Sequence, residues 1–340
     1  MISIPAKNVK SLAFTGDDLV DWAGGARVFD LDGKDHGSRI NYTYRFDAAT
    51  SSPDGRYTVL YERLGTKALL LDGGKLLREL NRSYYCAGAY EYPVHLFCLP
   101  DGRTVIAHCP DEYNRIEFEE VATGRRLTES SHRKPEDFFH SRLSSNPSGT
   151  RLLSAGWVWH PWDAVVYFDI GTAIRDPTHL DSLTAHSPFA FNVSLAEESS
   201  ACWLSDDQVA VGSSTEEEDA EEAAAQDDAV RLLPSSVGVF DVPSGCYLRS
   251  FRMPEPVGTM MRIDPSHVVS FYKHPKVISL TTGEVVQEWP ELRTGTQTSS
   301  ICHHLKESIP PLAFDPERRR FAVASADAIH VVTVGLPGPR

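Results

Sequence analysis

The stretch VKSLAFTGDDLVDWAGGARVFDLDGK, residues 9–34, decides how this chain is read. A strand-like run, Leu12-Ala13-Phe14, meets the turn Thr15-Gly16-Asp17-Asp18. A second β-rich run follows. A third, Arg27-Val28-Phe29-Asp30, ends before a turn through Gly33. Glycine accepts the positive φ that tight turns need, and Asp side chains accept hydrogen bonds from the turning backbone. A unit this short cannot bury its own apolar face, so it has to stack on neighbours.

Imperfect copies continue to the end of the chain. The second sets a run at 44–48 before Ser52-Pro53-Asp54-Gly55, then Tyr57–Tyr61 and 68–71. The third has Val94–Cys98, Pro100-Asp101-Gly102 and Thr104–His108, then 115–121. The fourth has 141–144, 151–155 and 164–170, the fifth 202–204, 208–212 and 237–241. The sixth has 259–263, 267–272 and 276–280, the seventh 312–314, Arg320–Ala324 and 328–334. The turn glycines Gly33, Gly74, Gly124, Gly171, Gly245 and Gly283 recur at about 40–50 residues, the length of a four-stranded blade, with one longer interval. Seven units in one closed ring account for this better than several domains. The seventh unit lacks a fourth strand, and Met1-Ile2-Ser3-Ile4 is β-compatible. Pairing it with the last unit would close the ring and cover an exposed edge.

The bulk numbers agree with a soluble all-β chain. It has 340 residues, 41% of them hydrophobic, and no apolar run near the length of a membrane span. The formal net charge is -14, which argues against nucleic acid as a general partner. Six scattered cysteines contain no CxxC pair and read as buried reduced thiols. The N-terminus has no apolar signal-like core, so a cytoplasmic protein is expected.

With the repeat laid out, the first unit resembles a WD40 repeat. Val9 to Val20 followed by Arg27-Val28-Phe29-Asp30-Leu31-Asp32-Gly33 matches that family's pattern, with Phe29 where the family usually has Trp. Phe168-Asp169 and Phe240-Asp241 repeat the variant, Ser52-Pro53-Asp54-Gly55 matches the family's first turn, and Gly283-Glu284-Val285 resembles the start of its outer strand. The family's Gly-His dipeptide is missing, with Ala185-His186 at best a remnant, so strand packing has to carry more of the structure. The resemblance implies an all-β fold over residues 1–340: a seven-bladed β-propeller of mostly four-stranded antiparallel blades, closed by an N-terminal strand. It also implies a rigid protein-interaction scaffold.

Specificity is expected where the unit is interrupted. Trp157-Val158-Trp159-His160-Pro161-Trp162 holds three of the six tryptophans. Trp157, Trp159, His160 and Trp162 are therefore the candidate protein-binding surface. The plainer reading has Trp157 and Trp159 continuing a strand and packing between blades. Residues 214–228, STEEEDAEEAAAQDD, carry eight acidic residues and no basic one. They read as a disordered loop inserted in the fifth blade, with a short helix or a docking arm as alternatives. Residues 81–92 hold four tyrosines that suit either an interface or ordinary strands. The basic connection with His132, Arg133, Lys134 and His140, and the turn Arg318-Arg319-Arg320, read as solvated.

No catalytic constellation stands out. Cys302-His303-His304 is the densest set of soft ligands, but adjacent residues rarely converge on one tetrahedral metal. No GxSxG, HExxH or phosphate-binding glycine loop is present. The expectation is a non-enzymatic scaffold without cofactor, metal or catalytic residues, monomeric by itself. Its partner is a protein or peptide, with no nucleic acid and no membrane. The alternative is a small-ligand-binding protein, or a hydrolase or lyase, with its site at the central channel, where Asp47, His95, His140 and His267 lie near inner strands.

Overall fold

Each turn-bounded unit folds into one antiparallel sheet, and the sheets stack side by side around a common axis. A computed structural model describes residues 1–38, 40–158, 162–183, 199–213 and 232–336. Trp159, His160, Ala185-His186 and the acidic stretch 214–228 lie outside them.

Blade one is β2 (Ala13–Thr15), β3 (Asp18–Asp21) and β4 (Arg27–Phe29). Blade two is β5 (Ala48–Ser51), β6 (Tyr57–Tyr61), β7 (Lys67–Asp72) and β8 (Lys75–Asn81). Blade three is β9 (Val94–Cys98), β10 (Thr104–His108) and β11 (Glu117–Glu120). Blade four is β12 (Ser144–Ser145), β13 (Arg151–Val158) and β14 (Trp162–Asp169). Blade five is β15 (Ser199–Trp203), β16 (Gln208–Ser213), β17 (Ser236–Asp241) and β18 (Cys246–Arg252). Blade six is β19 (Met260–Asp264), β20 (His267–Ser270), β21 (Lys276–Ser279) and β22 (Val285–Glu288). Blade seven is β23 (Leu312–Asp315), β24 (Arg320–Ala324) and β25 (Ala328–Thr333), with β1 (Ile2–Pro5) as its outer strand.

The first strand of each blade touches that of the next from β2 to β19, and β23 returns to β2. The ring closes as the sequence predicts. Ile2 pairs with Val331 and Ile4 with Ile329, so the chain's first strand completes its last blade. Ile4 is fully buried there.

The core is divided among the seams between blades. Phe29, Leu19 and Ile4 fill one, Leu60, Leu71 and Phe46 the next, and Val59, Leu70 and Ile106 a third. Phe118, Phe168 and Val166 pack between blades three and four, and Phe240, Val209 and Val165 between four and five. Phe29, Phe168 and Phe240 are all fully buried. Burying both faces of a sheet explains the near-continuous apolar runs in the sequence.

Three details depart from expectation. β5 begins at Ala48 instead of residue 44. β12 is reduced to Ser144–Ser145 because Arg142, in the predicted 141–144 strand, has φ +43, a left-handed kink that stops regular pairing. Gly171 is no turn marker: it lies within α1 (Ile170–Arg175), which Asp169 caps by accepting from the Thr172 N–H at 2.6 Å. Among the described residues no helix is long and apolar enough to cross a membrane.

Candidate functional site

The connection between β22 and β23, residues 289–311, has no regular structure and far exceeds an ordinary loop. It does not stay between blades six and seven. Ile301 forms an antiparallel bridge with Tyr90, in the connection between blades two and three on the far side of the ring. The Glu91 N–H donates to Ser300 O at 3.0 Å and the Cys302 N–H to Ala89 O at 3.0 Å. Gln297, Ser299, Ser300, Ile301 and Cys302 are all buried. The segment is a strap across one end of the central channel.

Three connections, the strap among them, converge on Glu91. Arg142 donates from Nε to Glu91 Oε2 at 2.9 Å and from its terminal nitrogen to Thr259 Oγ1 at 3.3 Å. Gln297 Nε2 donates to Glu91 Oε1 at 2.8 Å. Arg63 stands 3.8 Å from the same oxygen. Burial pushes the Glu91 carboxyl up, but Arg142, Arg63 and Gln297 together hold it below the ordinary carboxylate value. The kink at Arg142 places its guanidinium in this cluster. A left-handed arginine costs about 1–3 kcal/mol, which the surrounding contacts must offset.

The channel has a volume of about 820 Å³. Arg63, Glu91, Arg142 and Gln297 line its strapped end, and Gly16, Pro53, Pro147 and Arg318 its other end. Its walls mix Ala49, Val94, Ala201 and Met261 with Ser144, Ser145 and Trp203. His95 also lines it. Of the inner-strand residues named from sequence, Asp47 and His95 reach the channel, whereas His140 is buried in blade four and His267 pairs with Asp264 at 2.9 Å.

His95 Nε2 lies 3.0 Å from Ser145 Oγ, the spacing of a nucleophile and its base. The same nitrogen accepts the Ser145 backbone N–H at 3.0 Å, so its lone pair is engaged and the ring proton sits on Nδ1. Burial pushes the imidazole down to about 4. A neutral ring with an occupied lone pair is a poor general base. Cys302 is likewise pushed up to about 12 by burial and accepts from Gln297 at 3.0 Å, whereas His303 and His304 are exposed.

The same end of the ring carries an aromatic rim, organised by Arg82. This buried guanidinium donates to Gly65 O at 2.7 Å, Ala87 O at 2.6 Å, Tyr90 O at 3.1 Å and Glu91 O at 3.3 Å. It also lies over the rings of Tyr90 and Tyr92. The tyrosine-rich segment therefore divides: Tyr90 and Tyr92 are core, whereas Tyr84 is 82% and Tyr85 47% exposed.

Tyr85 joins a stack running inward. It packs on Tyr113 with ring centroids 4.9 Å apart, Tyr113 on Phe139 at 4.4 Å, and Phe139 on Trp157 at 4.0 Å with rings nearly parallel. Tyr113 also donates from its hydroxyl to Asp137 Oδ1 at 2.7 Å. Trp157 is only 7% exposed, so it is the buried base of the rim and presents no free surface of its own. Gly156 permits this approach, since a Cβ there would come within 2.1 Å of Phe139 O. Trp162 opens β14 opposite Val158, and Trp159 and His160 lie outside the described residues.

Seven antiparallel blades, a closing first strand and a central channel define a seven-bladed β-propeller. Among solved structures the chain is similar to the β-propeller domain of Myceliophteria thermophila Cps50 (Swd1), at 12% identity, TM-score 0.57 and 98% coverage of both chains. At that identity the likeness concerns the fold. No family model and no curated protein sequence matches the chain.

Proposed function

We propose that this propeller is a protein-interaction platform. Its partner, a protein or peptide, docks on the rim at Tyr84 and Tyr85, and the sequence segment of Trp157, Trp159, His160 and Trp162 is the candidate to extend that surface. Trp157 holds the rim from below. The observation that carries this reading is the continuous stack from buried Trp157 to exposed Tyr85. Aromatic side chains fixed from behind offer large contact area with little conformational entropy left to lose on binding. A propeller ring adds rigidity, so the rim is already shaped before a partner arrives.

The engaged lone pair on His95 disfavours the hydrolase or lyase alternative. A photo-crosslinking amino acid placed at Tyr84 tests the platform directly. It should trap a defined partner, whereas the same group at exposed Val285, on the outer strand of blade six, should not. Equal trapping at both positions would contradict the reading.

A further inference from the structure

The channel is a site distinct from the rim. We propose that it binds a small organic anion, with the acid group on Arg63 at the strapped end and an apolar body along the channel wall.

Three observations point the same way. Arg63 lines the channel, and among the described residues its guanidinium donates no hydrogen bond; its nearest carboxylate oxygen is 3.8 Å away. A planar fork of five donors is suited to a carboxylate or phosphate. Glu91 attracts Arg63 from 3.8 Å, beyond hydrogen-bond distance, while Arg142 and Gln297 hold its two oxygens at 2.9 and 2.8 Å. Asp47, the other carboxylate at this end, is exposed and accepts the Arg63 backbone N–H at 2.7 Å. The remaining wall is mixed, with Ala49, Val94, Ala201 and Met261 offering apolar surface between Ser144, Ser145 and His95. A cavity of about 820 Å³ has the size of a small-molecule site, and its two arginines at the strapped end, Arg63 and Arg142, set the polarity of the head group it would take. The strap closes over the polar end, so the ligand enters from the side of Gly16 and Pro147 with its acid group leading.

Methionine methyl groups provide the readout. The chain has four methionines, and Met260 and Met261 both line the channel, whereas Met253 does not. With carbon-13-labelled methionine methyls, hexanoate and hexyl phosphate are titrated into the full chain, with hexan-1-ol as the uncharged counterpart. At least one acid should shift the Met260 and Met261 signals saturably while Met253 stays in place. The two acids distinguish a carboxylate from a phosphate head. The alcohol should bind at least about tenfold more weakly. Arg63→Gln should weaken the acid about tenfold or more, and Arg63→Lys, which keeps the charge but loses the fork, by less. Absence of a saturable shift with both acids at about 10 mM would overturn the proposal, as would an alcohol that binds equally well. An Arg63→Gln variant that retains its fold and full affinity would overturn it too. The comparison of acid with alcohol uses the wild type alone, so a variant that fails to fold does not remove the test.

Discussion

Tyr90 and Ile301 form an antiparallel bridge although their segments leave the ring between different pairs of blades, two and three for Tyr90, six and seven for Ile301. The first strands of the blades touch those of adjacent blades. This bridge ties opposite sides together above the channel. It also joins the strap to the segment that carries Tyr84, Tyr85 and Glu91, so rim and channel share one support.

The strap should therefore behave as a packed element. The amide of Cys302 donates to Ala89 O and that of Glu91 to Ser300 O. Both should exchange with solvent hydrogen as slowly as amides in the blade strands, despite lying in long connections. Gln297→Ala removes the hydrogen bond to Glu91 and should speed exchange at these two amides first. Uniformly fast exchange across residues 289–311 in the wild type would contradict the strap.

Arg82 organises the rim by satisfying four backbone carbonyls. Arg82→Met keeps much of the packing on Tyr90 and Tyr92 but removes the side-chain donor of Gly65 O, Ala87 O and Tyr90 O, whereas Glu91 O keeps the Ser141 hydroxyl at 2.8 Å. A loss of about 2–4 kcal/mol in urea unfolding is expected, since each buried unsatisfied group costs about 1–3 kcal/mol and relaxation recovers part. A change below about 0.5 kcal/mol would mean that the segment does not depend on this residue.

Ring closure rests on β1. Ile4 is fully buried among Leu12, Leu19 and Ile329. Ile4→Ala should cost about 2–5 kcal/mol, as for other large-to-small changes in a packed core. Deleting residues 1–5 should in addition expose the edge of β25 and promote association, read by light scattering.

Acid should weaken the fold through His140. Its Nδ1 lies 3.2 Å from Ser154 Oγ on β13, and the ring is buried. Burial, reinforced by Arg133, pushes its pKa from 6.5 down to about 3. Above pH 6.5 neither the folded nor the unfolded chain holds the proton, and the full stability is present. As the pH falls below 6.5 the unfolded chain takes up a proton that the folded chain refuses until about pH 3. Stability should then fall by up to about 1.4 kcal/mol per pH unit for this group. His95, pushed down to about 4, adds a slope of the same sign. Urea midpoints between pH 7.5 and 5 measure the total, and His140→Gln should make the dependence shallower. An unchanged slope would contradict the burial of a neutral imidazole.

The strands were the most legible part of this chain. Tyr57–Tyr61, Val94–Cys98, Thr104–His108 and Arg320–Ala324 have the boundaries that their flanking turn residues predict. Local signals sufficed because hairpin turns set strand ends. Charged groups were misread for the opposite reason, since their partners are distant in sequence. Arg133 reads as a solvated residue of a basic connection. Folded, its Nε donates to Asp181 Oδ1 at 2.5 Å and its side chain is fully buried beside Glu117.

Arg320, expected in a solvated turn, is also buried. It holds Asp315 at 2.8 Å and lies over the Phe14 ring, stapling blade seven to blade one. The cluster of Arg63, Glu91, Arg142 and Gln297 was illegible because each member comes from a different connection. One signal was available: residues 289–311 are too long for a hairpin or blade link and contain no strand pattern. The tyrosine-rich segment left two readings open, and the donors of Arg82 divide it between core and rim.

Partner recovery tests the platform reading most directly. Wild type, a Tyr84→Ser/Tyr85→Ser rim variant and a Val285→Ser/Val286→Ser variant on β22 are used as baits, and bound proteins are quantified by mass spectrometry. The exposed Val285, Val286 and Tyr84 changes should leave the fold nearly unchanged, within about 0.5 kcal/mol. Tyr85→Ser also removes its stacking on Tyr113, about 0.5–1.5 kcal/mol, so retained fold of the rim variant is checked by urea unfolding. The account predicts that wild type and the β22 variant recover the same partner and that the rim variant recovers at least about tenfold less, the loss of a binding hot spot. Equal recovery by the rim variant, or no partner specific to the wild type, would contradict it.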